Sequence, residues 1–130
     1  DRLSPIGLRP VDAVDPVRFD FREARQIGAV EIDHAYTALN RDAEGFAIVR
    51  VTDAAGSGVQ MTWDAACPWV QIHTSDKGVG KPGHRTGLAV EPMTCAPDAF
   101  NADRYEYDAG LIVLEPGASA SASWRISALA

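Results

Sequence analysis

Apolar residues in this chain recur mostly at every second position, in short runs that are separated by polar turns. The clearest runs are Phe46 to Thr52 (FAIVRVT) and Val59 to Trp63 (VQMTW), which flank the turn DAAGSG at 53–58 and predict a β-hairpin. No long amphipathic helix, internal repeat or low-complexity tract interrupts this pattern. Many short strands at roughly ten-residue spacing predict an all-β fold, specifically an antiparallel β-sandwich.

The run WVQIHT at 69–74 predicts another strand, in which Trp69, Gln71 and His73 share one face. Carbohydrate sites combine an aromatic plate with amide and acid hydrogen-bonding groups, because sugars have apolar CH faces as well as hydroxyls. This strand offers such a mixture. The simpler interpretation is that Gln71 is exposed to solvent and Trp69 belongs to the core.

Several weaker patterns also indicate extended structure. We expect short or irregular strands at 11–14 and 17–21, a buried strand at Leu111 to Leu114, and a final antiparallel strand at 118–126. The stretch AVEIDHAYTAL at 29–39 reads as a strand with Asp33 and His34 at its centre. Adjacent residues of a strand point to opposite faces, so only one of them can face a given ligand, and a structural role is the simpler interpretation of His34.

A short apolar run, Leu88 to Val90, leads directly into the carboxylate of Glu91, which precedes Pro92. Burial at the end of such a strand would raise the pKa of a carboxylate toward the range in which it exchanges protons, so Glu91 is a candidate catalytic residue. The alternative is a solvent-facing residue at a strand end, where the proline merely stops the strand. One acid on its own does not decide between the two.

Composition narrows the possible classes of protein. The 130 residues, 46% hydrophobic, suffice for one core and are too few for two good ones. The net charge of −6 without a basic stripe argues against nucleic-acid binding, and no apolar run approaches the ~20 residues of a membrane span. Cys67 and Cys95 lack metal-ligand spacing; a single disulfide is one interpretation, and two reduced core thiols are the expected one. With no charged and apolar leader in the sequence, the cytoplasm is the expected location.

The stretch HRTGLAVEPMTCAPDAFN at 84–101 resembles the glutamate-bearing segment of the aldose 1-epimerases, or galactose mutarotases. Four further stretches resemble the same family in the same chain order: VRFDFREARQIG at 17–28, EIDHAYTAL at 31–39, PWVQIHTSD at 68–76 and LIVLEPGASASASWRI at 111–126. The resemblance covers nearly the whole chain but only the C-terminal part of the family's pattern. It implies that residues 1–130 are the C-terminal part of a single aldose 1-epimerase-like β-sandwich domain, within a large galactose-mutarotase-like supersandwich.

The resemblance also implies an activity and a site. Glu91 is expected to be the catalytic base, and Asp33 and Gln71 are expected to bind the hydroxyls of a small aldose such as galactose or glucose. Neither a metal nor an organic cofactor is expected. The family's acid is a histidine in its first half, and His34, His73 and His84 do not occupy the matching motifs. The expected partner is therefore the missing N-terminal half of the fold, and this chain alone is expected to be inactive or nearly so.

Three alternatives remain at this point. A non-catalytic carbohydrate-binding module could use the same Asp33, Gln71, Trp69 and Glu91 without turning the sugar over. A hexose-6-phosphate epimerase would need an arginine cluster for the phosphate, and no clear one lies near Glu91 in the sequence. A purely structural or interaction domain is the third.

Overall fold

The computed structural model describes residues 4–130, which form two small antiparallel sheets with almost no helix. In chain order the elements are helix α1 (Pro16–Phe19), strands β1 (Asp33–Tyr36), β2 (Ala47–Thr52), β3 (Gly58–Trp63), β4 (Trp69–His73) and β5 (Ala89–Met93), a 3₁₀ helix (Ala99–Arg104), and strand β6 (Trp124–Leu129). The first sheet has the order β1-β4-β5 and the second the order β2-β3-β6. All four pairings are antiparallel, which confirms the predicted all-β, sandwich-like fold.

The predicted hairpin is formed by β2 and β3, and its connection is held by an aspartate. The Asp53 carboxylate accepts hydrogen bonds from the backbone N–H groups of Ala55 and Ser57, at 2.8 and 3.1 Å. The following residue, Gly58, lies so close to β2 that a Cβ atom there would be 2.0 Å from the Val51 carbonyl oxygen. A larger residue at this position cannot fit without a shift of the hairpin backbone.

The main core lies between the two sheets and is built from alternate residues of their facing sides. Ala47, Trp63, Cys67 and Val70 are its buried members. The Trp63 indole N–H donates to the Cys67 carbonyl oxygen at 3.1 Å, so this buried polar group has a partner. Cys67 is a free thiol whose pKa is raised by burial, and Cys95 is free as well.

A second cluster lies on the opposite side of the first sheet, where the segment 94–110 folds back over Trp69. Trp69 is buried there together with Ala96, Ala99 and Ala109. The Ala96 N–H donates to the Ala109 carbonyl oxygen at 2.7 Å and joins the two ends of the segment. Since only 5% of Trp69 is exposed, it belongs to the core and is not available as a plate for a sugar.

The N-terminal part of the chain departs from the predicted extended structure. Residues 11–14 form a turn, and α1 replaces the strand expected at 17–21. Asp15 caps this helix by accepting from the Arg18 N–H at 3.0 Å, and Pro16 occupies the first turn. An acidic cap followed by proline is a helix-start signal that outweighed the alternation of apolar residues.

The C-terminal predictions need similar correction. The buried strand expected at Leu111 to Leu114 is absent, and all four residues are exposed, because no described strand lies beside them. The last strand is β6 at 124–129 and not 118–126, while the strand expected at 29–39 is limited to β1. Within residues 4–130, no helix has the length and apolar character needed to cross a membrane.

Candidate functional site

The first sheet turns one face toward the second sheet and the other face away from it. On the inner face Tyr36, Val70 and Ile72 pack into the main core. Because side chains alternate along a strand, Asp33 and Gln71 belong to the outer face. The two side chains can therefore contact the same ligand, as predicted. His34, the residue after Asp33, belongs to the opposite face.

The strand register brings the predicted residues together. Gln71 of β4 is paired with Glu91 of β5, and His73 of β4 is paired with Asp33 of β1. Directly opposed residues of an antiparallel pair have Cβ atoms about 5 Å apart. Asp33, Gln71 and Glu91 therefore occupy two adjoining cross-strand rows of one face, although 38 residues separate the first two in the sequence.

Asp33 makes the best-defined polar contact of this face. The Gln71 side-chain amide donates to Asp33 Oδ1 at 2.7 Å, and His73 Nε2 lies 4.0 Å from Asp33 Oδ2. The side chains of Asp33 and His73 are each 38% exposed, so the carboxylate remains accessible from solvent. A carboxylate can accept several hydrogen bonds, and Gln71 occupies only one of these acceptor positions.

Glu91 differs from its prediction in position and in burial. It lies in the middle of β5 and not at its end, and it is exposed. Pro92 continues the strand, which is possible because β5 is an edge of the first sheet in the described structure. The predicted burial of Glu91 is therefore not found within residues 4–130, and the case for Glu91 as a site residue depends on its place beside Gln71.

A cleft of about 270 Å³ opens at the β1 edge of the first sheet, beside Asp33. It is lined by Arg18, Glu31, Ile32, Asp33, His34, His73 and Asp76. The His34 ring packs edge-on against Phe19 at 4.8 Å, and its pKa is lowered by burial and then by the nearby Arg18 charge. His34 makes this ring contact while remaining exposed. No three His, Cys, Asp or Glu side chains within residues 4–130 are placed to hold a metal ion.

The loop after β4 is fixed by an arginine that sequence reasoning did not single out. Arg85 donates to Asp76 at 2.6 Å and to the carbonyl oxygens of Val30 and Gly28 at 3.0 and 2.7 Å. The hydrogen bond from the Thr74 hydroxyl and the contact with Arg85 hold the pKa of Asp76 below its ordinary value. Arg85 is engaged in this scaffold, and no local pattern in the sequence signals the contact.

Aromatic residues close the other end of the face. Trp69 and Met93 form the cross-strand row next to Gln71 and Glu91. The Tyr107 ring packs against Trp69 at 5.6 Å and stacks with Tyr105 at 5.2 Å. The Tyr105 hydroxyl donates to Asp98 at 2.5 Å, and this bond, together with partial burial, raises its pKa to about 12. These contacts make a braced wall beside the Gln71–Glu91 row.

Comparison with known proteins gives one informative match. No family model matches the sequence, and no solved structure matches it. YihR of Escherichia coli strain K12, described as an uncharacterized protein, is 33% identical over 117 residues, which cover 90% of this chain. The match covers 32% of YihR, so this chain spans about a third of the length of the relative that it matches. The similarity indicates a homologous family without assigning an activity to it.

Proposed function

We propose that this chain is part of an aldose 1-epimerase, an enzyme that interconverts the α and β anomers of a hexose such as galactose or glucose. The observation that carries the proposal is the placement of Asp33, Gln71 and Glu91 on one solvent-facing surface of the first sheet. The resemblance of residues 84–101 to the glutamate-bearing segment of that family supports it independently.

The proposed reaction opens the sugar ring and closes it on the other face of C1. Glu91 takes the proton from the C1 hydroxyl while an acid protonates the ring oxygen, and the bond between C1 and the ring oxygen breaks. Rotation about C1–C2 and closure with the two roles reversed give the other anomer. Positioned acid–base groups contribute on the order of 10²–10⁴-fold in rate. This chemistry requires neither a metal nor an organic cofactor.

Asp33 and Gln71 are proposed to hold the sugar while Glu91 reacts. The 2.7 Å hydrogen bond between them fixes the carboxylate of Asp33 and the amide of Gln71 relative to each other. In this arrangement, Asp33 Oδ2 and the side-chain amide oxygen of Gln71 remain available to accept hydrogen bonds from sugar hydroxyls. Two neighbouring hydroxyls of one ring can therefore be bound by a pair whose geometry is set before the ligand arrives.

The acid is proposed to come from the rest of the fold. The family's acid histidine belongs to a half that this chain does not match, so the intact enzyme needs both parts and this chain alone remains inactive. The aldose is the proposed small-molecule partner, and the cytoplasm is the proposed location. The exposure of Glu91 fits this arrangement, since the other half would supply the missing wall of the pocket.

A second candidate is a non-catalytic carbohydrate-binding module. The exposed position of Glu91 favours it, because hydrogen bonding to a sugar hydroxyl needs an accessible carboxylate and no proton partner. Both candidates use the same three residues, so they are separated by rate measurements and not by the location of bound sugar.

The test uses this chain alone and a YihR chimera, in which this chain replaces the matched segment of YihR. Optical rotation of fresh α-D-galactose and α-D-glucose is followed with each protein. We expect mutarotation to proceed at the spontaneous rate in the presence of this chain alone and to be strongly accelerated by the chimera. Glu91→Gln in the chimera should lower kcat by 10²-fold or more, of the order expected for a lost acid–base group, with sugar affinity retained.

Glu115→Gln is the matched control, because Glu115 is an exposed acid in a turn outside the two sheets. It should leave the rate unchanged. A folded chimera that binds these sugars without accelerating their mutarotation would contradict the enzyme and leave the binding module. Full activity of this chain alone would contradict the proposed need for the rest of the fold.

A further inference from the structure

The second sheet carries one face that is apolar from edge to edge. The register of β2, β3 and β6 places nine residues on it: Ala47, Val49, Val51, Val59, Met61, Trp63, Trp124, Ile126 and Ala128. The opposite face is mainly polar, with Arg50, Gln60, Thr62, Arg125 and Ser127. Such a division is typical of a sheet whose apolar face is covered along its whole width.

Only part of this apolar face is covered in the structure. Ala47 and Trp63 are 2% and 1% exposed, because the first sheet packs on them. Across the sheet, Val59, Trp124 and Ile126 are 50%, 63% and 58% exposed. One cross-strand row, Ala47–Trp63–Trp124, therefore runs from the buried core to an exposed indole.

The edge of β6 and the segment before it are also uncovered in the described structure. β6 is an edge of its sheet in the described structure, and an edge presents backbone groups that can pair with another strand. The four apolar residues 111–114, in the segment before β6, are exposed as well. Monomeric proteins rarely leave contiguous apolar surface of this kind in water.

We propose that the uncovered face formed by Val59, Trp124 and Ile126 is the docking surface for the remainder of a YihR-sized fold, which packs an apolar sheet face of its own against it. The uncovered face is continuous with the core between the two sheets, so an occupant extends the existing sandwich. None of the nine residues on the face is charged, which calls for an apolar and not an ionic partner.

Length supplies the reason to choose this occupant. The match accounts for 32% of YihR, so a homologous protein of that size has twice as much further chain with which to cover the face. A second copy of this chain is the other conceivable occupant, and the experiment below distinguishes it. The inference does not depend on the reaction proposed above, because it concerns the opposite layer of the sandwich from the candidate site.

Hydrogen exchange measured by mass spectrometry tests the proposal in this chain alone and in the YihR chimera. Peptides covering β3 and β6 should exchange at least tenfold more slowly in the chimera, whereas the turn at 53–57 should exchange equally fast in both. In this chain alone, Trp124 should be quenched by iodide and the protein should sediment as a monomer. A dimer that shields Trp124 would overturn the proposal in favour of a second copy.

A matched pair of substitutions locates the surface. Val59 and Gln60 are adjacent on β3 and point to opposite faces. Val59→Asp and Gln60→Asp should be tolerated about equally in this chain alone, because Val59 is half exposed. In the chimera, Val59→Asp should raise the unfolding constant by roughly tenfold or more relative to Gln60→Asp, because it buries an unpaired charge. Equal effects of the two substitutions in the chimera would overturn the proposal.

The docking surface and the proposed enzyme activity can be contradicted independently of each other. A chimera that protects β6 but does not turn over sugar contradicts only the proposed enzyme. A chimera that turns over sugar while β6 and Trp124 stay exposed contradicts only the docking surface.

Discussion

Two tryptophans that face each other across β3 and β6 should differ greatly in what they contribute to stability. Trp63 is 1% exposed and Trp124 is 63% exposed, although they are paired in register on the same face. Trp63→Ala should cost about 4 kcal/mol, since truncation of a buried tryptophan typically costs about 3–5 kcal/mol. The indole hydrogen bond to Cys67 is lost too, but that carbonyl oxygen keeps the Arg41 guanidinium as a donor at 2.9 Å.

Trp124→Ala should cost less than about 1 kcal/mol in this chain alone, because most of its surface is already in water. Urea denaturation followed by far-UV circular dichroism measures both losses, with m-values compared to check that the denatured state is unchanged. Equal losses of free energy from the two substitutions would refute the burial difference between them. In the YihR chimera, the cost of Trp124→Ala should rise toward that of Trp63→Ala if the docking surface is covered.

Three further predictions concern stability. The pKa of Asp76 is lowered, so its carboxylate stabilises the folded state above the unfolded pKa of about 4, and this stabilisation is lost as the pH falls toward the folded pKa. Urea denaturation midpoints of wild type and Asp76→Asn, measured between pH 2 and 7, should therefore converge below pH ~4. The buried Tyr36 hydroxyl has no hydrogen-bond partner within residues 4–130, so Tyr36→Phe should be neutral or stabilise by about 1 kcal/mol in thermal unfolding, and a clear loss would contradict this. Gly58→Ala should lower the free energy of unfolding by more than about 1 kcal/mol, as overpacked substitutions do, because its Cβ would collide with the β2 backbone. Gly87→Ala should be neutral, because open space surrounds Gly87. Similar melting temperatures of the two variants would contradict the hairpin geometry.

Strands with regular alternation and good turn chemistry were predictable from the sequence. The β2–β3 hairpin and β4 lie close to their predicted positions because local pattern and sheet pairing agree there. The strand predicted at Leu111 to Leu114 does not form, because an apolar run becomes a strand only where another strand pairs with it, and the described structure offers no such partner there. Helix α1 was missed because the capping signal of Asp15 and Pro16 was given less weight than a weak alternation.

The candidate site was only partly accessible to sequence reasoning. Alternation alone placed Gln71 and His73 on one face, and the structure confirms that arrangement. The pairing of Asp33 with His73 depends on the register between strands far apart in the sequence, which no local pattern contains. The burial of Trp69 likewise depends on the irregular segment 94–110, so the core interpretation could not be chosen over a sugar plate before the fold was known.

The strand order sets the dimensions of the candidate site. β4 lies between β1 and β5, so the backbones that carry Asp33 and Glu91 are separated by two strand spacings, about 10 Å in all. A ligand that contacts both carboxylates must therefore lie over β4, the strand that carries Gln71. Gln71 already bonds Asp33 and faces Glu91 in register. The proposed site therefore has about the width of a single sugar unit, and an extended polysaccharide would have to cross the aromatic residues packed against Trp69.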